Sequence, residues 1–206
     1  MDSRRLYRSL ILLLCATCPI VGGASPKHWE IPFGTTEPQA NALHGKIYSL
    51  PEKTRRLPDF ETLHARGDVY VYSLWVKNQA TFPWHGLPGS EWYAIDYRGV
   101  FWLKEPARLK FFLYSDDGSK LYIDDRCIIN NDGVHSVHGR GVRIPIPEGL
   151  HRIRLSYFQG PAPYIALALF VQLPGQEDKP FDTRDFLPPN GTSAPTLEQR
   201  PAVMKH

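Results

Sequence analysis

The chain has 206 residues, 42% hydrophobic and 22% charged, with a formal net charge of +3. That length allows one domain with extended ends or two very small ones, and the near-neutral balance excludes the basic excess of a nucleic-acid binder. With 19 prolines, 16 glycines and 12% aromatic residues, the composition suits short strands joined by turns rather than long helices.

At the N-terminus, Arg4, Arg5 and Arg8 precede a mostly apolar run from Leu10 to Cys18, and Gly22, Gly23 and Ala24 follow it. This is the pattern of a secretory signal peptide over residues 1–24, cleaved after Ala24. An uncleaved anchor is the alternative, but the run is shorter than the ~20 residues of a membrane span and Pro19 interrupts it. Lipidation at Cys15 or Cys18 is a further alternative, disfavoured by Leu14 and Thr17 just before them. The expected location is secreted, periplasmic or cell-surface, with no membrane span after cleavage. Cleavage also leaves Cys127 as the one cysteine, so no intrachain disulfide is expected. Lying between Arg126 and Ile128 in an apolar strand, Cys127 reads as a small buried hydrophobe.

Residues 25–58 carry Pro26, Pro32, Pro38, Pro51 and Pro58 with little periodicity and read as an extended arm lying along a domain of residues 59–174. Val69 to Val76 reads as one buried strand. Residues 77–90 form a loop in which Trp84 and His85 are candidate ligand contacts, the simpler reading of Trp84 being a cover over the end of the core. Trp92 to Leu103 reads as a long strand with Gly99 as a bulge. In the next strand Leu109, Phe111 and Leu113 share one face, and Lys110, Phe112 and Tyr114 the other. Ser115-Asp116-Asp117-Gly118 turns it into Lys120–Ile123, and Asp124-Asp125-Arg126 turns that into Cys127–Ile129. A polar loop, 130–141, leads to Val142–Ile146, where Pro145 points to a sheet edge. His151–Phe158 places Ile153, Leu155 and Tyr157 inward. After the loop 159–163, Tyr164–Leu173 closes the domain, and its small outward residues Ala166 and Ala168 imply that something lies over that face. Residues 175–206 are polar and Pro-rich and read as a flexible tail. About eight strands with no convincing helix predict an all-β, antiparallel sandwich or barrel.

Asp117-Gly118 between two strands is first a hairpin signal. The second reading starts from the adjacent carboxylates of Asp116 and Asp117. Calcium takes six to eight hard oxygen ligands, so one Asp seldom suffices. Successive side chains on a regular strand point to opposite faces, so both can face one ion only across an unusual backbone such as a cis peptide. Asp132, His135 and His138 in the polar loop offer a weaker pattern for a transition metal, against solvated histidines and an ordinary Asp132-Gly133 turn. Asp124 could brace the cation loop through hydrogen bonds.

Taken together, Tyr97-Arg98-Gly99-Val100, Ser115 through Asp125, Ile128 through His135 and Glu148 through Gly160 resemble the protective-antigen 14-kDa (PA14) domain family, over roughly residues 68–173 and in the same order and spacing. The resemblance implies a β-sandwich carbohydrate-binding module. In the lectin members the paired Asp of this turn bind calcium across a cis peptide, and the ion bridges sugar hydroxyls. Asp116 and Asp117 match those positions. Those members complete the site with an Asn and backbone carbonyls from the loop before the last strand, where this chain has Gln159.

The leading expectation is a secreted, noncatalytic glycan-binding or adhesion module. Calcium would be held by Asp116, Asp117 and Gln159, and the glycan would be contacted by Asp132, His135, Trp84 and Tyr164. The alternative is a structural or assembly domain of an envelope or secreted complex that has kept the fold and lost the sugar. A glycosidase would need two carboxylates ~5–9 Å apart in a cleft, and no second acid is marked out here.

Overall fold

The computed structural model describes residues 30–81, 83, 84 and 86–189. The expected signal peptide and the end of the expected tail lie outside these residues. The described residues form thirteen strands and two short 3₁₀ turns. In chain order the strands are β1 Glu30–Ile31, β2 Gly34–Thr35, β3 Leu43–Ser49, β4 Gly67–Val71, β5 Trp75–Ala80, β6 Tyr93–Leu103, β7 Ala107–Asp116, β8 Ser119–Ile123, β9 Arg126–Asn131, β10 His138–Ile146, β11 Gly149–Gln159, β12 Tyr164–Gln172 and β13 Lys179–Pro180. Every pairing is antiparallel.

One sheet has the order β1-β2-β4-β3-β6-β11-β8-β9. The other has the order β10-β7-β12-β13, with β5 also paired to β12. The period-two alternation of each strand sends one set of side chains between the sheets. Leu109, Phe111 and Leu113 of β7 and Leu167, Leu169 and Val171 of β12 meet Ile95, Tyr97, Leu155 and Tyr157 of β6 and β11 in one core. The antiparallel sandwich read from the alternation is therefore the observed architecture.

Several local expectations change. The segment Val69–Val76 is two strands: β4 lies in the first sheet and β5 in the second, because the chain crosses the sandwich edge between them. Leu74, 1% exposed, plugs the crossing, and Ser73 bridges to Asp182 there. Gly99 is not a bulge, since β6 pairs without interruption through Ile153↔Gly99. A Cβ at Gly99 would lie 2.6 Å from Leu43 Cδ2, so the glycine lets β3 pack. Cys127 is exposed. The register of β8 and β9 steps from Leu121↔Ile129 to Tyr122↔Cys127, and the extra residue, Ile128, turns Cys127 to the outside.

The expected arm contributes β3 to the interior of the first sheet, between β4 and β6. Only its later part runs over the domain: Leu50 and Leu57 join Tyr48, Phe60, Ala94 and Phe158 in a second apolar cluster. The expected flexible tail is likewise ordered through residue 189. β13 pairs with β12, and Phe181 and Phe186 stack 5.3 Å apart against Phe101. Burying each ring stabilises by about 1.5–3 kcal/mol, which is why this proline-rich stretch is held.

Candidate functional site

The turn between β7 and β8 lies at one end of the sandwich. Its floor is polar and buried. Ser115 Oγ and Ser119 Oγ are 2.6 Å apart, and Asn131 Nδ2 donates to Ser115 Oγ at 3.0 Å and to the His138 carbonyl at 3.3 Å. Gly118 is required by close approach, since a Cβ there would lie 2.3 Å from Phe158 Cε1 and 2.8 Å from the Gly133 nitrogen.

The Asp116–Asp117 peptide is cis. Both carboxylates are buried, Asp116 at 8% and Asp117 at 3% exposure. Asp117 Oδ1 accepts the backbone N–H of His135 at 2.9 Å, and its Oδ2 accepts that of Gly160 at 2.8 Å. One side chain thus ties the polar loop after β9 and the loop after β11 to the turn. Burial pushes the Asp116 carboxyl up to about 6, and the neighbouring charge of Asp117 adds to the rise. Nearby His135 and the Val137 backbone N–H oppose it. Burial also raises Asp117, against the pull of the Gly160 and His135 N–H groups. Two ionised carboxylates so placed favour a bound positive charge.

Gln159 is turned away from this role. It is fully buried. The Tyr157 hydroxyl lies between Gln159 Oε1 at 2.6 Å and the Asp116 carbonyl at 2.7 Å, either of which accepts its proton. Gln159 Nε2 donates to the Tyr164 carbonyl at 3.0 Å and to that of Pro161 at 3.4 Å. Both ends of the amide are used in shaping the loop 160–164, which also holds a cis Ala162–Pro163 peptide.

The remaining candidates separate. Asp132 Oδ1 accepts the Leu57 N–H at 2.8 Å and its Oδ2 pairs with Lys120 Nζ at 3.0 Å, so this carboxylate fastens the arm rather than facing a ligand. His135 sits beside the turn, its ring nitrogens 2.9 Å from the Asn131 carbonyl and 3.0 Å from that of Ser136. The His135 and His138 rings are 3.9 Å apart, but no group of three or more His, Cys, Asp and Glu among the described residues is arranged to hold a metal. Trp84 packs against the core, and His85 lies outside the described residues. Tyr164 is 51% exposed at the rim. Asp124 does not brace the turn: at the far end of β8, its Oδ2 is 2.7 Å from His151 Nδ1 and its Oδ1 accepts the Arg152 N–H.

Three contributors were not marked in the sequence, namely the backbone N–H groups of His135, Val137 and Gly160. Main-chain donors have no residue signature. The buried polar floor was readable in part, because Ser115 and Ser119 flank the Asp-Asp-Gly triplet at inward strand positions.

By sequence the chain matches no family model and no curated protein. Its fold is similar to solved structures. The PA14 domain of the MpAFP antifreeze protein superposes with a TM-score of 0.58 at 15% identity, covering 72% of this chain and 92% of that one. A PA14 sugar-binding domain from an RTX adhesin gives 0.56 at 11% identity, covering 71% and 97%. The Epithelial Adhesin 9 A domain from Candida glabrata, in complex with Galb1-3GlcNAc, gives 0.50 at 13%, covering 78% and 95%. These matches, with the two antiparallel sheets and the paired-Asp turn joining β7 to β8, establish that this chain has a PA14-like fold.

Proposed function

We propose that this chain is a secreted or surface-exposed, noncatalytic carbohydrate-binding module. Its site is the end of the sandwich around Asp116 and Asp117, with a glycan or glycoconjugate as partner. The observation that carries the reading is the pair of adjacent buried carboxylates, Asp116 and Asp117, cinched to both neighbouring loops through Asp117. The similarity to a PA14 sugar-binding domain and to an adhesin domain in complex with a disaccharide supports it. The arginines and apolar run at residues 4–18 support export.

The donor set fits a hard divalent cation such as calcium. Asp116 and Asp117 would supply its side-chain oxygens, and the loop 160–163 offers backbone carbonyls. When bound, the ion supplies positive charge to the two carboxylates and coordination for ligand hydroxyls. Asp117 holds both loops around the turn, Gln159 sets the shape of the second loop, and exposed Tyr164 offers a ring face beside it. Calorimetric titration with calcium, followed by glycan-array binding with and without a chelator, tests this. Calcium-dependent binding is expected; calcium-independent binding to every glycan, or none at all, overturns the metal-assisted reading.

A second reading is an assembly domain without a sugar. The commitment of both ends of Gln159 to internal hydrogen bonds favours it, because the amide oxygen expected at the cation is spent elsewhere. Absence of any calcium-induced rise in melting temperature would favour that reading.

A further inference from the structure

On β7, Leu109, Phe111, Leu113 and Ser115 are buried between the sheets, so alternation turns Lys110, Phe112, Tyr114 and Asp116 to the outer face. On β12 the outward set is Tyr164, Ala166, Ala168 and Phe170. The register places Asp116 beside Ala166, Tyr114 beside Ala168, and Phe112 beside Phe170, while Trp75 of β5 flanks Ala168 from the other side. The cation turn and an aromatic stripe therefore share one face. From Asp116 to Lys110 that face runs about 20 Å, room for several sugar rings.

A Cβ on Gly139 would be 2.3 Å from Phe112 Cε1 and 2.7 Å from Tyr114 Cδ1, and one on Gly141 would be 2.7 Å from Phe112 Cδ2. Both rings therefore pack over the bare backbone of β10, with Phe112 and Tyr114 4.6 Å apart and tilted 39° to each other. Trp75 is 50% exposed and Tyr114 40%, and an exposed apolar patch of this kind marks an interaction surface. The rim is cationic. Lys77 Nζ is 6.0 Å from the Trp75 ring, and Lys110 Nζ is 6.0 Å from that of Phe112. Arg143 and Arg108 continue the same face. Lys110 pairs with Asp178, but Lys77, Arg108 and Arg143 form no ion pair among the described residues. Such a field draws an anionic ligand, and it opposes a two-fold dimer that would set this face against itself.

We propose that this outer face extends the Asp116–Asp117 site into a platform for a linear acidic polysaccharide. Uronate rings would stack on Tyr114, Trp75 and Phe112, with their carboxylates met by the basic rim. The proposal rests on reading the turn as a glycan site.

The test is calorimetry of the full chain with galacturonate oligomers of increasing length, and with neutral glucose oligomers of the same lengths. Affinity is expected to rise with galacturonate length and to fall with salt. Trp75→Ala and Tyr114→Ala should each weaken the longest oligomer about tenfold. Arg143→Ser, at an exposed edge position, is a variant that leaves the rings untouched and should remove part of the salt dependence. Calcium titration of Asp116→Asn reports the turn separately. If Asp116→Asn binds calcium as the parent does while Trp75→Ala loses the long oligomer, the turn reading fails and the platform stands. Three other results overturn the platform, whatever calcium does: undiminished long-oligomer binding by both ring variants, equal binding of neutral oligomers, or no galacturonate binding. Self-association abolished by Trp75→Ala would also overturn it, in favour of a dimer.

Discussion

Asp117 Oδ2 accepts the backbone N–H of Gly160 at 2.8 Å, and so the paired-carboxylate turn and the loop before β12 are one mechanical unit. The same side chain reaches the polar loop through its bond to the His135 N–H. Asp117→Ala removes an ionised acceptor and leaves two donors, one buried and one part-buried, to find other partners. Hydrogen bonds to charged groups are worth about 1.5–3 kcal/mol each. A loss of roughly 2–4 kcal/mol in urea unfolding is expected, with Asp117→Asn retaining part of it because its amide oxygen still accepts one bond.

Gln159→Met keeps the volume and removes the amide. The Tyr157 hydroxyl still has the Asp116 carbonyl as acceptor, whereas the Pro161 and Tyr164 carbonyls lose their donor. A cost of about 1–3 kcal/mol is expected. Calcium binding measured by calorimetry should weaken far less than in Asp116→Asn. Equal loss in the two variants would return Gln159 to the ligand set.

The folded Asp116 carboxyl, at about 6 against an ordinary value of 3.8, makes a signed prediction. Because the folded state holds this proton more tightly than the unfolded chain, the group lowers stability as pH rises from 3.8 to about 6. The penalty is complete above that range and absent below it. A bound cation competes with the same proton. Calcium affinity should therefore strengthen as pH rises through about 6 and level off above it, and the calcium-induced gain in melting temperature should be larger at pH 7.5 than at pH 5.

Phe181→Ala tests the ordered C-terminal stretch. Phe181 is 1% exposed and touches Phe101, Phe111 and Phe186. A large-to-small change of this kind costs about 3–5 kcal/mol. Tyr97→Phe tests the N-terminal end, where the buried Tyr97 hydroxyl donates to the Phe33 carbonyl at 2.8 Å, and its expected cost is about 1–2 kcal/mol. Near-zero effects from both in chemical unfolding would mean that the two ends dock without stabilising the core.

Most strands were legible because their inward residues alternate: Leu109-Phe111-Leu113 and Ile153-Leu155-Tyr157 could form little else in a chain without helical periodicity. β3 was not legible, since Leu43, Ile47 and Tyr48 sit among prolines and polar residues, and its strand depends on pairing with β4 and β6. β5 was fused with β4 because local sequence carries no mark of which sheet a strand joins. Cys127 was misplaced by a bulge whose extra residue, Ile128, is apolar like its neighbours.

By itself the sequence determined the all-β class, the β8–β9 hairpin and the position of the Asp116–Asp117 turn, since these depend on residue type and on spacing over a few positions; that the Asp117-Gly118 turn is no hairpin but carries the chain from one sheet to the other was decided by the fold. Only the tertiary structure decided what surrounds that turn. It spent Gln159 on Tyr157 and the loop, gave Asp132 to Leu57 and Lys120, and closed the site with backbone N–H groups from His135 and Gly160. The physical reason is that an amide or carboxylate takes whichever donor or acceptor burial brings close: the partners of Asp117 and Asp132 lie far along the chain, and those of Gln159 are near in sequence but are turned to it only by the folded loop.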